Sequence, residues 1–518
     1  MYKLAFLIFI IGFFLFRPYQ MERSGMMYSG DDESYFAHAT SIAYGQFPSY
    51  KKEFFSTGGA NPLHPIGPGL MAAPFVYAFS WGDRLEGNEI VQVRKADNIE
   101  QSWSVYGFSV AAVFYLWLGC LFLYVGLRQY FNEFETVLGI FLMVLCQGIP
   151  LFVFRRPVFS HIFEFCVVSI LVWLLILPRD KWKVWSQYWL SAFGLGALLG
   201  ILILIRQNNI MILMLWPLIL FILQVDPKDR HAAWRNILIA YVLAGAVYVG
   251  LQMLPDIFYH NNGQNDVIKN LLLKVQSPLF YLQRIWHVLT GPDWGLIYSA
   301  PFILVGLGAA IIQKHSLRRV VLISLLPLCV NFYVVMAWMT QGGWYGYRYL
   351  IATAAALLAF PFTLFLNRME KRFGKAVVLI AALLISLPPL FSMLMFEGDP
   401  GNLTLHVIQQ YFGVTGWGNN MYQWNVWMML RQHPVGSTVI ICKGGGLYLL
   451  TCWRMLVNSP ALIDTIIRGI YLNFSLTLFA KTTFIYLFPF MLTFIAHLFN
   501  NEVSRLRALA RRRDKTSG

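Results

Sequence analysis

Apolar runs of roughly 17 to 25 residues, the length that crosses a ~30 Å hydrocarbon core as a helix, recur along the whole chain. The composition agrees, because 58% of the 518 residues are hydrophobic and only 13% are charged. The sequence therefore predicts an α-helical polytopic membrane protein and excludes an ordinary soluble domain. We expect about twelve spans, at residues 3–16, 105–127, 137–154, 161–177, 187–205, 209–224, 236–254, 296–312, 319–339, 349–366, 375–396 and 482–499.

The distribution of basic residues predicts the orientation. With the N-terminus in the cytoplasm, the loops on that side are short and hold about 21 of the 40 Lys and Arg residues. The net charge of +15 then lies against anionic lipid head groups, which argues against nucleic acid as a partner. Lys3 precedes the first run and no small-residue cleavage site follows it, so we expect an uncleaved signal anchor. Both termini are expected to be cytoplasmic.

Three long segments fall on the outer side, at residues 17–104, 255–295 and 397–481. We expect a transmembrane catalytic module over residues 1–396, a small outer segment at 397–481, and a last span with a basic tail at 482–518. The two halves show no convincing repeat of the kind that rocking carriers tend to have. Long outer loops and short inner ones favour a reaction site on the outer face.

Two stretches of the first outer loop predict helices outside the spans. Apolar residues in "DDESYFAHATSIAYG" recur at helical spacing, which predicts a helix lying flat on the membrane surface. "NPLHPIGPGLMAAPFVYAFSW" contains an apolar stretch of roughly 10 to 14 residues, too short to span and typical of an interfacial or re-entrant helix.

The acidic triplet Asp31, Asp32 and Glu33 follows the first apolar run in a chain that otherwise avoids acid. A carboxylate at the mouth of a lipid-facing cavity can act as a general base when it lies about 3 Å from the proton that it accepts. The same residues can instead form a solvated cluster that stabilises the start of a helix through its dipole. The spacing alone leaves both interpretations open.

The stretch "QGGWYGYRYL" at residues 341–350 surrounds Arg348 with Trp344, Tyr345 and Tyr347. A guanidinium can bind a phosphate through two parallel hydrogen bonds, and aromatic faces suit a sugar ring or an isoprenoid chain. The alternative is an interfacial aromatic belt with a snorkelling Arg. The three glycines, which let the backbone turn tightly, favour the functional interpretation.

Three other basic residues lie at the outer ends of predicted spans, although basic residues are concentrated on the cytoplasmic side of membrane proteins. Arg155, Arg156 and Arg206 can neutralise an anionic lipid carrier or extend to lipid head groups, and for Arg206 we favour the former. His64 and His161 are weaker candidates, since a single His is more often structural.

The six cysteines divide into two groups. Cys120, Cys146, Cys166 and Cys329 lie in apolar spans, where we expect them to pack as small hydrophobic residues. Cys442 and Cys452 lie in the outer segment, where "TVIICKGGGLYLLTCW" predicts two β-like runs around a glycine turn, and a disulfide between them stays open. The sequence has no Cys/His spacing of a structural zinc site.

Four stretches in collinear order, over roughly residues 1–366, resemble bacterial polytopic GT-C glycosyltransferases, the group that includes the protein O-mannosyltransferases and the lipid A aminoarabinose transferase. "GDDESYFAHATSIAYGQFP" resembles their first-loop Asp-Glu motif, and "NPLHPIGPGLMAAP" their His-Pro-Pro-Gly segment. "GPDWGLIYSAPFILVGL" resembles "RGLLFYSP", and "GGWYGYRYLIATAAALLAFP" resembles "GGWSWGPRYLLP". The chain departs from the pattern at "PIGPG", from residue 65, and its C-terminal outer segment has no counterpart.

The resemblance implies a GT-C fold in a bacterial inner membrane, with periplasmic juxtamembrane helices and an active site facing the periplasm. It implies an enzyme that moves a sugar from a polyprenyl-phosphate donor, such as undecaprenyl phosphate, by inverting single displacement. The acceptor would be an envelope glycan, lipid A or a surface protein. Some relatives place a divalent metal at the Asp/Glu cluster; we expect no metal or other cofactor here.

The resemblance also assigns roles to the candidate residues. Asp32 matches the catalytic aspartate, with Asp31 as the near alternative and Glu33 in the same cluster. Arg348 matches the donor phosphate ligand. From the residues themselves, the further candidates for binding the donor phosphate are Arg206, Arg156 and His64. The candidates for contact with the sugar or lipid are Trp344, Tyr345, Tyr347 and Tyr35.

Two other functions stay open. The first is a flippase or transporter of lipid-linked oligosaccharides, which needs charged or polar residues through the membrane centre; the predicted spans are nearly free of such charge. The second is an O-antigen polymerase or ligase, which would use Arg and His on a diphosphate-linked glycan. The first-loop acidic triplet favours the transferase over both.

Overall fold

The computed structural model describes residues 1–16, 31–48, 50, 62, 64–87, 102–177, 189–207, 209, 230–255, 278–290, 295–312, 325, 327–329, 331–333, 348–395, 431, 434, 438, 442, 445, 448–449, 452–453 and 476–516. The regular elements in this part of the chain are all helices. They are α1 (Tyr2–Leu15), α2 (Asp31–Ala43), α3 (Gly67–Leu85), α4 (Trp103–Leu127), α5 (Glu133–Ile140), α6 (Leu151–Phe154), α7 (His161–Leu175), α8 (Trp189–Ile205), α9 (Arg230–Tyr248), α10 (Pro278–Thr290), α11 (Leu296–Ser299), α12 (Pro301–Ile312), α13 (Arg348–Phe373), α14 (Lys375–Met395) and α15 (Leu476–Thr516).

Eight of the predicted spans are single helices in the structure, and a ninth, 296–312, is divided at Ala300 into α11 and α12. Among the described residues, five helices are long and apolar enough to cross a membrane: α4, α9 with its π-helical end, α13, α14 and α15. Four shorter apolar helices, α1, α7, α8 and α12, match other predicted spans. The predicted spans 209–224 and 319–339 lie wholly or mostly outside the described residues. The chain is therefore a helical protein with the spans of a multi-pass membrane protein.

The predicted span 137–154 is not one helix. It begins in α5, continues as a π-helical turn from Phe141 to Leu145, and breaks before the short helix α6. After the break, the Gln147 side chain accepts a hydrogen bond from the backbone N–H of Ile303 at 2.9 Å. Because the first N–H groups of a helix have no partner within it, this bond fixes the start of α12 against the break.

Helix α4 is the centre of the bundle, since every residue from 104 to 113 is buried. Its glycines let neighbours approach: a Cβ at Gly107 would lie 2.7 Å from a backbone oxygen of α3, and one at Gly119 would lie 2.5 Å from a ring carbon of Phe165 in α7. On another side the Trp117 indole donates to the Thr493 hydroxyl of α15 at 3.0 Å. Small residues therefore let α3 and α7 pack closely on one helix, as in membrane bundles generally.

Helix α2, predicted as a helix that lies flat on the membrane surface, is buried within the protein. Every residue from 34 to 41 is buried, although this run includes two serines, a threonine and a histidine. Polar side chains are tolerated there because they find partners; the Thr40 hydroxyl, for example, donates to the Phe36 carbonyl at 3.0 Å. The orientation of α2 relative to the membrane stays a prediction.

Helix α3 is longer than the apolar stretch predicted for it. It has 19 residues, which gives a length of about 28 Å. One face is buried through Ala72, Val76 and Asp83. The Asp83 carboxylate accepts hydrogen bonds from the backbone N–H groups of Trp103 and Ser104, at 2.7 and 2.8 Å. The end of α3 therefore caps the start of α4.

The C-terminal outer segment is not the β hairpin that the sequence predicts. The described residues between 431 and 453 all have helical backbone. Cys442 and Cys452 are both free thiols, so the structure contains no disulfide between them. The Tyr448 ring packs on Phe13 of α1 and Tyr486 of α15, with centroid distances of 5.9 and 5.0 Å, so packing against helices holds this part instead of a strand ladder.

The other cysteines follow the prediction with one exception. Cys120, Cys146 and Cys166 are buried, whereas Cys329 is exposed.

Candidate functional site

In the part of the chain that the structure describes, two carboxylate–guanidinium pairs lie buried within the helical bundle, and both include residues from 156–164. The first joins Asp32 Oδ2 to Arg156 Nη1 at 2.8 Å. Asp32 is 0% exposed and Arg156 5% exposed. At this length the contact is a charge-assisted hydrogen bond, and burial protects it from screening by salt.

The chain positions the first pair from two directions. Asp32 lies in the first turn of α2, and Arg156 lies in the turn between α6 and α7. The Arg156 guanidinium also lies 5.3 Å from the centroid of the Phe159 ring, a cation–π distance. Ring and carboxylate together restrict where the guanidinium can lie.

The neighbouring Arg155 binds the ends of two helices. Its Nε donates to the carbonyl of Leu15 at 3.1 Å, and its Nη2 donates to the carbonyl of Leu394 at 2.8 Å. Both carbonyls belong to the last turns of their helices, α1 and α14, where the partial negative charge of the helix dipole favours a cation. This contact holds the turn that carries Arg156 in place.

The second pair joins Arg206, directly after α8, to Glu164 in the first turn of α7. Arg206 Nη1 lies 3.3 Å from Glu164 Oε2. Arg206 also donates from Nε to the Ser160 hydroxyl at 3.1 Å and from Nη2 to His161 Nδ1 at 2.8 Å. The same Nη2 lies 3.2 Å from Nε2 of that ring, so the imidazole of His161 packs directly against the guanidinium.

Glu164 connects this pair to α13. The Thr353 hydroxyl donates to Glu164 Oε1 at 3.2 Å. Thr353 lies five residues, or about 7.5 Å of helix rise, after the first residue of α13, Arg348. The backbone of Arg348 is therefore about one and a half turns from the residue that contacts Glu164; its side chain lies outside the described part of the chain.

The glycines of "GPG" at residues 67–69 bring the elements of the two pairs together. A Cβ at Gly67 would lie 2.4 Å from the backbone nitrogen of Ile205, next to Arg206. A Cβ at Gly69 would lie 2.4 Å from the Cβ of His38 in α2. Only a residue without a side chain allows both approaches, so the start of α3 packs between the helix that carries Asp32 and the end of the helix that precedes Arg206.

His38 fixes α2 against the segment before α3. Its Nε2 donates to the carbonyl of His64, and the Tyr50 hydroxyl donates to its Nδ1, both at 2.8 Å. Burial lowers the pKa of His38 from its ordinary value to about 4. The imidazole is therefore neutral near neutral pH, in agreement with one nitrogen donating and the other accepting.

The predicted site residues have different outcomes. Asp32, Arg156 and Arg206 are buried and belong to the pairs described above. Glu33 is half-buried, and the Tyr35 ring packs on His64 with centroids 5.7 Å apart. Trp344, Tyr345 and Tyr347 lie outside the described part of the chain, and so do the side chains of Asp31 and Arg348. Their predicted roles stay predictions.

Sequence reasoning missed Glu164. The spans were predicted to be nearly free of mid-membrane charge, yet this carboxylate lies in the apolar helix α7 and is 1% exposed. A single acid within an apolar run is the signal that could have found it, since such a residue needs a partner. In the described residues no group of three or more His, Cys, Asp and Glu side chains is placed to hold a metal ion.

Comparisons with known proteins give low similarity. No protein-family model and no curated protein matches the chain. Among solved structures it is similar to the Archaeoglobus fulgidus oligosaccharyltransferase in the apo form, with 12% identity over 91% of this chain and 60% of that chain and a TM-score of 0.44. For the same enzyme in complex with Zn and sulfate the identity is 13%, the shares are 75% and 52%, and the TM-score is 0.43.

A third similar structure is the archaeal oligosaccharyltransferase AglB from Archaeoglobus fulgidus in complex with an inhibitory peptide and a dolichol-phosphate. It has 12% identity over 91% of this chain and 59% of that chain, with a TM-score of 0.42. The chain spans between 52% and 60% of the length of these proteins. Similarity at this level does not indicate the role of any residue. The assignment of the candidate site therefore depends on the residues of this chain.

Proposed function

We propose that this chain is a membrane-embedded glycosyltransferase of the GT-C type. It transfers a sugar from a polyprenyl-phosphate donor to an acceptor on the outer face of the membrane, which is the periplasmic face in a bacterium. The observation that carries the proposal is the buried Asp32–Arg156 pair, at the start of the helix whose sequence resembles the first-loop motif of these enzymes. A buried, oriented carboxylate beside arginines is what single displacement at a phosphate-activated sugar requires.

In this mechanism Asp32 is the general base. It accepts the proton of an acceptor hydroxyl or amine while that group attacks C1 of the sugar. The bond between C1 and the phosphate oxygen breaks, its electron pair stays with the phosphate, and the products are the glycosylated acceptor and polyprenyl phosphate. One displacement without a covalent sugar–enzyme intermediate inverts the configuration at C1, as in the inverting arrangement of glycoside hydrolysis.

The arginines take separate roles. Arg156, predicted from the sequence as a phosphate ligand, bonds to Asp32, so we assign to it the orientation of the base. Arg206 and Arg348 remain the proposed ligands of the donor phosphate. They stabilise the charge that grows on the leaving phosphate, and this charge is larger in the transition state than in the bound donor.

The decisive experiment measures sugar transfer by Asp32→Asn. The purified protein in lipid nanodiscs would be incubated with a cell-envelope fraction that contains the acceptor and, in turn, with undecaprenyl-phosphate-linked sugars of several classes. Mass spectrometry would then measure the sugar attached to the acceptor. We expect at least about a hundredfold loss of transfer, the size of a general-base effect. Glu135→Gln, a change of a buried carboxylate in the first turn of α5, is the matched control and should keep most activity.

Removing one partner of a buried pair can unfold a protein, so the variant needs a second test. The double variant Asp32→Asn/Arg156→Gln removes both charges of the pair. A monodisperse double variant without transfer supports the base role. Near-normal transfer by either folded variant refutes it.

A second candidate function, a carrier of lipid-linked glycans, is favoured by one observation. Glu164 and Arg206 form a buried ion pair beside apolar helices, and buried charges in such helices mark transport paths as well as active sites. A labelled lipid-linked sugar in sealed vesicles separates the two functions. A carrier moves the label across the bilayer unchanged, whereas a transferase attaches it to an acceptor.

A further inference from the structure

Glu164 presents a problem for phosphate binding at Arg206. The pair carries one positive and one negative charge, so Glu164 already compensates the charge of Arg206. A phosphodiester donor brings one further negative charge, and the released phosphomonoester brings up to about two. Placing that charge beside a buried carboxylate is unfavourable unless the carboxylate gives up its guanidinium.

The contact between Glu164 and Arg206 is the weaker of the two buried pairs. Oε2 of Glu164 lies 3.3 Å from Arg206 Nη1, compared with 2.8 Å in the Asp32–Arg156 pair. Among the described residues, Oε2 has no hydrogen-bond partner although it is fully buried. Strong guanidinium–anion contacts are about 2.7 to 2.9 Å long and often bidentate, so a phosphate can bind Arg206 better than Glu164 does.

The carboxylate also has a partner that would hold it after displacement. The Thr353 hydroxyl donates to Oε1, whereas the Arg206 contact is made by Oε2. Arg206 likewise keeps its bonds to Ser160 and His161 when Glu164 withdraws. The guanidinium therefore stays oriented while only one of its contacts is exchanged.

We infer that Glu164 is a resident counter-ion of Arg206, which the lipid-linked phosphate displaces on binding and which returns to Arg206 when the phosphate leaves. The inference rests on the proposed function, because it takes Arg206 as a phosphate ligand. It assigns to Glu164 a part in the binding and release of polyprenyl phosphate.

Equilibrium binding of radiolabelled farnesyl phosphate to the full chain in nanodiscs tests the inference without any sugar transfer. Glu164→Gln removes the competing charge, so we expect binding to tighten about tenfold, the size of one charge-assisted hydrogen bond. Arg206→Gln should weaken binding by at least the same factor. Farnesol, which lacks the phosphate, should bind all variants equally.

Glu135→Gln is the matched control, because Glu135 is equally buried but bonds to Asn132 and Asn367 and not to a guanidinium. It should leave the affinity unchanged. Glu164→Asp shortens the side chain and keeps the charge, and it serves if the Gln variant is not monodisperse. It too should tighten binding, by a smaller factor.

The outcomes separate the inference from the proposed function. Equal or weaker binding by folded Glu164→Gln, with Arg206→Gln still impaired, overturns the counter-ion role and leaves the transferase proposal intact. Unchanged binding by Arg206→Gln overturns the inference by removing its phosphate ligand. Failure of the wild-type chain to transfer any sugar, with the Glu164 effect still present, would instead reject the proposed function and keep the counter-ion role.

Discussion

Replacing Gly69 by Ala tests whether close helix packing positions the proposed base. The added Cβ would lie 2.4 Å from the Cβ of His38 and 2.8 Å from both the backbone nitrogen of Ala39 and the carbonyl oxygen of Tyr35. Two of these atoms are backbone and the third is the first atom of a buried side chain, so no change of rotamer removes the overlap. Helix α3 must move away from α2, or α2 must move.

The size of the effect follows from the distances. Non-bonded carbon atoms pack at about 3.5 to 4.0 Å, so relief of the contact needs a movement of about 1 Å or more. Overpacking of this kind costs about 1 to 3 kcal/mol of stability. Because Asp32 lies on α2, a displacement of about 1 Å also predicts a loss of kcat of about a hundredfold.

The assay is sugar transfer and thermal unfolding of purified Gly69→Ala, with Gly308→Ala as the control. A Cβ at Gly308 meets nothing within 4 Å, so this substitution should leave activity unchanged and should not destabilise the helix. Wild-type kcat and stability in folded Gly69→Ala would refute the argument that contact between α2 and α3 sets the position of the base.

Three further predictions follow. Gly67→Ala would place a Cβ 2.4 Å from the last backbone nitrogen of α8 and so move Arg206; it should raise the KM for the lipid-linked donor more than it lowers kcat, which steady-state kinetics measures. Burial lowers the pKa of His38 to about 4 in the folded chain, so His38 takes up a proton at a higher pH in the unfolded chain than in the folded one. The free energy of unfolding should therefore fall by about 3 kcal/mol as the pH drops from about 6.5 to about 4. Unfolding midpoints across that range should fall less in His38→Gln than in the wild type; parallel curves would contradict the assignment. Cys442 and Cys452 should both be alkylated in protein purified without reductant, and recovery of a disulfide-linked peptide by mass spectrometry would exclude the free thiols.

The helices could be predicted from the sequence because long apolar runs are a local signal. Helical spacing likewise predicted α2, although small polar residues such as Ser34 and Ser41 gave no sign that this helix is buried within the protein. At residues 442–453 the glycines suggested a hairpin turn, but packing of Tyr448 on α1 and α15 accompanies helical backbone. Tertiary packing overrides local propensity at those residues.

The sequence identified residues of the candidate site, but it did not identify which of them form ion pairs. Asp32, Arg156 and Arg206 were identified by type and position, since an acid or base next to an apolar run is costly without a partner. Which acid meets which base depends on how distant helices pack, as in the contact of Asp32 with Arg156 across 124 residues. Glu164 was missed because its partner, Arg206, lies 42 residues away at the end of another helix. No residue near Glu164 in the sequence indicates this pairing.

The acceptors of Arg155 have a consequence for biosynthesis. One of them, Leu394, leaves the ribosome 239 residues after the arginine, which corresponds to roughly 10 to 50 s of translation. Until then the guanidinium lacks this partner, and the turn that presents the next arginine to Asp32 is not fully anchored. A fragment that ends at residue 366 would contain every stretch of the family resemblance, yet it would lack one of the two carbonyls that hold Arg155 and should not assemble on its own.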